Sequence, residues 1–147
     1  PDLMIPELTA EERDPAIFEI CTLMQERGFV DNGTRLAEEA LKREAIVSTA
    51  FEHGVAFPHA RGVEGGGLTL ACALSSKGIR FSQDQRILTR LIFFVAIPTA
   101  ASAFYLKLLS GLTKTFEDEE NRTRMLACKT APDLWKALTQ TTRKAIL

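Results

Sequence analysis

Cysteine is scarce in this chain, histidine scarcer still, and a long apolar run is missing altogether. The three cysteines, Cys21, Cys72 and Cys128, are odd in number, far apart and set among apolar residues. They suit neither a disulfide framework nor a zinc site and read as reduced core thiols. With two histidines, His53 and His59, and no HExxH or paired CxxC, no metal site is expected. The longest apolar run, Leu91 to Ile97, is far too short to cross a bilayer, and no signal-peptide pattern opens the chain. A cytoplasmic protein without direct membrane insertion is therefore expected. Neither charge sign is in excess: 18 Lys and Arg face 19 Asp and Glu, a net charge of −1. Without a basic block or an RNP-like aromatic cluster, nucleic acid is not an expected partner. Gly62, Gly65, Gly66 and Gly67 fit neither GxxxxGK[ST] nor GxGxxG, GxSxG is absent, and no cofactor is expected.

What is present is an ordinary globular composition, 46% hydrophobic over 147 residues, enough for one domain spanning 1–147. Leu3, Met4 and Ile5 suit an edge strand. Asp14-Pro15 reads as a helix start, Ile17, Ile20, Cys21 and Met24 recur at helical spacing, and Gly28 closes the segment. Asp31-Asn32-Gly33 is turn chemistry. A second helix from about Thr34 puts Leu36, Ala37, Ala40 and Leu41 on one face and ends near Arg43-Glu44-Ala45-Ile46. Three strand-like segments follow. The first is Gly54 to Arg61; the second, Leu68 to Leu74, alternates; the third, Leu88 to Ile97, is apolar throughout and suits a central strand covered on both sides. Ser75 to Arg86 reads as a polar connection with a turn at Lys77-Gly78. Tyr105, Leu108, Leu109, Leu112 and Phe116 form a helical core stripe. Asp118 to Cys128 suits a weaker helix. Thr130-Ala131-Pro132-Asp133 resembles a capping box before a last amphipathic helix carrying Leu134, Trp135 and Leu138. The expected fold is α/β: a single domain with a mixed β-sheet flanked by helices on both faces.

The chemistry concentrates at Gly54-Val55-Ala56-Phe57-Pro58-His59-Ala60-Arg61-Gly62. Pro58 has no N–H and tends to end a ladder, so His59 is expected at a strand edge or end, open to solvent or a partner. Neutral imidazole carries a lone pair suited to nucleophilic attack. A structural histidine in the core is the competing reading. His53 is expected in an exposed turn. Arg61 shares a face with His59 only if the strand runs regularly.

The run Arg43-Glu44-Ala45-Ile46-Val47-Ser48-Thr49, then Gly54-Val55-Ala56-Phe57-Pro58-His59, resembles the enzyme IIA domain of the fructose/mannitol class of the bacterial phosphotransferase system. Nitrogen-regulatory IIA-like proteins belong to the same class. Gly78-Ile79-Arg80-Phe81, Phe93 to Pro98 and Leu106 to Leu112 match its later blocks in order. The resemblance implies that His59 accepts a phosphoryl group from an HPr-like carrier and passes it to a IIB component or uses it for regulation. It also implies Arg43 as the active-site arginine, against the plainer reading of a surface residue at a helix end; Arg61 is a second candidate for phosphoryl oxygens. The family's second histidine falls at Tyr105, whose ring suits the core and whose hydroxyl suits the site. That departure leaves two expectations: a phosphotransferase component with a phosphohistidine intermediate, or a IIA-like regulatory or binding module that transfers nothing. A small hydrolase with His59 as base lacks a nucleophile at recognisable spacing.

Overall fold

The computed structural model describes residues 2–46, 48–51, 53–63, 68–81, 87–98 and 102–146; for residues 61–63, 102, 103 and 143–146 it describes the backbone alone. In chain order the elements are β1 (Met4–Ile5), α1 (Arg13–Glu26), α2 (Gly33–Ile46), β2 (Val55–Ala56), β3 (His59–Val63), β4 (Thr69–Ile79), β5 (Thr89–Pro98), α3 (Ser102–Phe116), α4 (Glu119–Leu126) and α5 (Ala131–Ile146). The sheet is mixed. β5 lies inside it, antiparallel to β4 on one side and parallel to both β2 and β3 on the other; β1 adds to the far edge of β4 in parallel.

The apolar run of β5 is explained by burial on both faces. Ile92, Phe94 and Ala96 join the core beneath α1 and α2 with Ile17, Ile20, Met24 and Ala40. Leu91, Phe93, Val95 and Ile97 join the opposite core with Leu112, Phe116, Met125 and Leu134. The alternation of β4 divides in the same way: Cys72 and Leu74 face the second core, Ala71 and Ala73 the first. Helices thus flank the sheet on both faces, as the patterning requires.

Four local expectations are corrected. α1 starts a residue before Asp14, with Glu12 as its N-cap making no side-chain cap bond; Asp14 instead sits in the first turn against Arg13, at 2.8 Å. The Gly54–Arg61 segment is two strands, not one, because Phe57 and Pro58 interrupt the ladder. β4 does not end at Leu74. It continues to Ile79, which is fully buried and pairs with Thr89 after an irregularity in register. Gly78 permits this: at φ +87 it takes a conformation disfavoured for other residues, and a Cβ there would lie 2.7 Å from that of Leu88. Residues 82–86 of the expected connection lie outside the described residues. Trp135 is exposed, because the buried stripe of α5 is Leu134, Ala137 and Leu138 and Trp135 stands about 100° around the helix from Leu134.

Other local signals have their expected form. Gly28, at φ +79, follows the C-cap of α1. Asp118 caps α4 by accepting the N–H of Glu120, and Thr130 Oγ1 accepts the N–H of Asp133 at the start of α5. Cys21 and Cys72 are buried, and burial pushes the Cys21 thiol up to about 12. Cys128 is only half-buried, its thiol donating to the carbonyl of Arg124.

Candidate functional site

Pro58 separates β2 from β3 and leaves His59 as the first residue of β3, in register with Val95. Partners in a ladder share a face, so the imidazole points where Val95 does, toward α3. The carbonyl of Pro58 still accepts the Val95 N–H at 3.1 Å, so the missing N–H of proline costs the sheet little here.

The two ring nitrogens of His59 meet different groups. Nδ1 lies 3.1 Å from the carbonyl oxygen of Phe57, and Nε2 lies 3.3 Å from the hydroxyl of Tyr105. A carbonyl oxygen only accepts, so Nδ1 carries the proton of the neutral ring. Nε2 then holds the ring's lone pair, and the Tyr105 hydroxyl donates to it. The rings sit 5.2 Å apart between centroids, tilted by 43°. Tyr105 belongs to the first turn of α3, where unsatisfied N–H groups and the helix dipole favour negative charge. A lone pair facing a hydroxyl beside a helix N-terminus is an arrangement suited to a phosphoryl group.

His59 is less accessible than the sequence implies. It is 5% exposed, with the Tyr105 hydroxyl against Nε2 and the Phe57 carbonyl against Nδ1. Tyr105 is buried too, its ring in the core formed with Leu108, Leu112 and Val95. Arg43 lies half-buried in the last turn of α2, a helix that packs on β3. The backbone of Arg61 follows in β3 opposite Ile97; its side chain lies outside what is described. Gly65, Gly66 and Gly67 also lie outside the described residues.

His53 lies in a turn, as expected, but is not exposed. It is half-buried, stacked on Phe51 at 5.7 Å, and its Nε2 is buried with no hydrogen-bond partner among the described residues. Desolvation, and then the positive charge of Arg122, hold its pKa below the usual histidine value.

Two residues given no role by motif reasoning stand behind the site. Glu44 is 4% exposed and its carboxylate accepts both the N–H (3.1 Å) and the hydroxyl of Thr49. One signal for it was available: a carboxylate in the last turn of a helix opposes the helix dipole and needs local compensation. An open groove lined by Glu11, Arg13, Glu44, Ser48 and Arg80 runs on this side of the molecule, and His59 is not among its lining residues. Among the described residues no cluster of potential metal ligands occurs, and no helix is long and apolar enough to cross a membrane.

Residues 1–141 match the family described as the phosphoenolpyruvate-dependent sugar phosphotransferase system, EIIA 2. The fructose-specific EIIA component of Haloferax volcanii is 29% identical over 125 residues, covering 82% of this chain and 81% of that protein. The 2-O-alpha-mannosyl-D-glycerate-specific EIIABC component of Escherichia coli is 27% identical over 128 residues; the match takes in 86% of this chain and 20% of that larger protein. Among solved structures, the nitrogen regulatory protein IIA-Ntr of Neisseria meningitidis superposes with a TM-score of 0.84 at 22% identity, covering 94% of each chain. IIA mannitol of E. coli follows at 0.77 and 18%, covering 93% of this chain and 96% of its own. These two likenesses establish the fold. The match over nearly the whole sequence establishes the family: the chain belongs to the enzyme IIA components of phosphoenolpyruvate-dependent sugar phosphotransferase systems.

Proposed function

We propose that this protein is a phosphocarrier in which Nε2 of His59 takes a phosphoryl group from an HPr-like protein and hands it to a IIB component or to a regulated target. The observation that carries the proposal is the polarised imidazole, with Nδ1–H held by the Phe57 carbonyl and the Nε2 lone pair aimed at a hydrogen-bond donor. In the step, the Nε2 lone pair forms the new N–P bond as the bond from phosphorus to the donor's leaving group breaks. Nδ1 keeps its proton throughout. Such transfers pass through a loose transition state with charge on the three equatorial oxygens, so the protein contributes position and fixed donors. Tyr105 must release Nε2 first, at a cost of about 1 kcal/mol for one neutral hydrogen bond, and can then donate to a phosphoryl oxygen. The first turn of α3 supplies further N–H donors. Arg43, in the last turn of the helix that packs on β3, is the candidate for the positive charge that tyrosine lacks. A E. coli structure similar to this chain, with a TM-score of 0.76 at 16% identity, is a complex of enzyme IIA mannitol with phosphorylated enzyme IIB mannitol, which supports a IIB partner here. Such a relay would act in the cytoplasm, and the fructose-specific relative supports a sugar-transport role over a purely regulatory one.

Incubation with phosphoenolpyruvate, enzyme I and HPr tests the proposal. The expected product is an acid-labile, base-stable phosphate on the protein, absent from His59→Ala. Label that persists in that variant refutes the site. The low exposure of His59 favours one second reading, a IIA-like regulatory or binding module without phosphoryl flux, and a wild-type protein that takes up no label would support it.

A further inference from the structure

We propose that Glu44 is a positioning residue that sets the tautomer and stance of His59 through Thr49 and the peptide of Phe57. The chain of contacts is continuous. The Glu44 carboxylate accepts the N–H and hydroxyl of Thr49. The Thr49 carbonyl accepts the Phe57 N–H at 3.2 Å, and the Phe57 carbonyl accepts Nδ1–H of His59 at 3.1 Å. The segment around Thr49 therefore pairs with the end of β2 as a short antiparallel ladder, to which the Phe51 N–H adds a bond to the Val55 carbonyl at 2.7 Å and Ala50 a bridge to Ala56.

Two costs oppose a carboxylate at position 44. It is buried, and it sits at the negative end of the α2 dipole. Both donors that offset these costs come from one residue, Thr49, so the carboxylate ties the helix end to the strand-like segment that backs β2. With that segment held, the Phe57 carbonyl has one orientation, and the imidazole beyond it one proton arrangement. Without it, the carbonyl is free to tilt and the Nε2–H tautomer, which cannot attack phosphorus through Nε2, gains population.

The effect on transfer rests on the function proposed above; the effect on the tautomer does not. The test is therefore nitrogen NMR of the His59 ring in unphosphorylated protein, at a pH where the ring is neutral, together with initial rates of phosphoryl uptake from phospho-HPr. Wild type should show the Nδ1–H tautomer. Glu44→Gln and Thr49→Val should each raise the Nε2–H to Nδ1–H ratio and lower the maximal uptake rate, both by roughly tenfold, with KM unmoved. Thr49→Ser, which keeps the hydroxyl, should behave as wild type. A ratio unchanged in folded Glu44→Gln and Thr49→Val overturns the proposal, as does Thr49→Ser behaving like Thr49→Val. Should Glu44→Gln not fold, the two Thr49 variants decide it. A tautomer that shifts in a protein that takes no phosphate upholds the positioning role and sinks the phosphocarrier reading instead.

Discussion

The Tyr105 hydroxyl stands 3.3 Å from Nε2 of His59, at the opposite end of the imidazole from the Phe57 carbonyl that holds Nδ1. The ring is thus gripped along its length, with a replaceable contact at one end and a main-chain contact at the other. Under the function proposed above, the same hydroxyl would cover Nε2 before transfer and meet phosphoryl oxygens after it.

Removing that hydroxyl while keeping the ring separates the two roles. Tyr105→Phe should lower the initial rate of phosphoryl uptake by roughly tenfold if donation to the phosphoryl oxygens dominates. A rate that rises instead would identify the hydroxyl as a plug over Nε2. Tyr105→His, with a donor that can carry charge, should exceed wild type in the same assay.

Beneath the site, Phe57 stacks on Phe93 at 5.6 Å and 13°, and Phe93 meets Phe116 at 5.0 Å. Phe93 is fully buried. Phe93→Ala should lower the unfolding free energy by about 3–5 kcal/mol, read from the denaturant midpoint. A loss under 1 kcal/mol would mean that the β5 core collapses freely around the gap.

Gly54 holds the turn before β2 at φ +87, and its carbonyl accepts the N–H groups of Arg90 and Leu91. A Cβ there would also come 3.2 Å from the Leu88 carbonyl oxygen. Gly54→Ala is expected to cost about 1–2 kcal/mol from the left-handed backbone alone. Thermal unfolding of the variant measures it, and an unchanged midpoint would show that the turn relaxes at no cost.

His53 should leave a mark on the pH dependence of stability. Its folded pKa is lowered below 6.5 by desolvation and by Arg122, so in that range the unfolded chain binds more protons than the folded one. Stability should therefore fall as pH drops below about 6.5 and stop falling on this account below the folded pKa. His53→Gln should flatten this segment of the wild-type curve of unfolding midpoint against pH. Parallel curves for the two proteins would dismiss the effect.

Much of this architecture was legible in one dimension. The two-sided apolar run of β5, the Tyr105–Phe116 stripe, the Thr130 cap and the Gly28 stop are local patterns, and each has the local form its residues require. The alternation of Leu68 to Leu74 divided correctly between the two cores for the same reason: period two follows from the strand itself. Trp135 was misplaced because a hydrophobic residue one step off the stripe resembles one on it until the helix is docked.

The residue types at positions 43 to 59, and with them the family, belong to the sequence alone. Tertiary structure decided the rest. It carried β4 on to Ile79, buried His59, and brought Tyr105 to an imidazole 46 residues away. It also bound Glu44 to His59 through Thr49 and Phe57. These outcomes turn on how α3 seats against the sheet and on main-chain carbonyls, whose positions no side-chain pattern encodes.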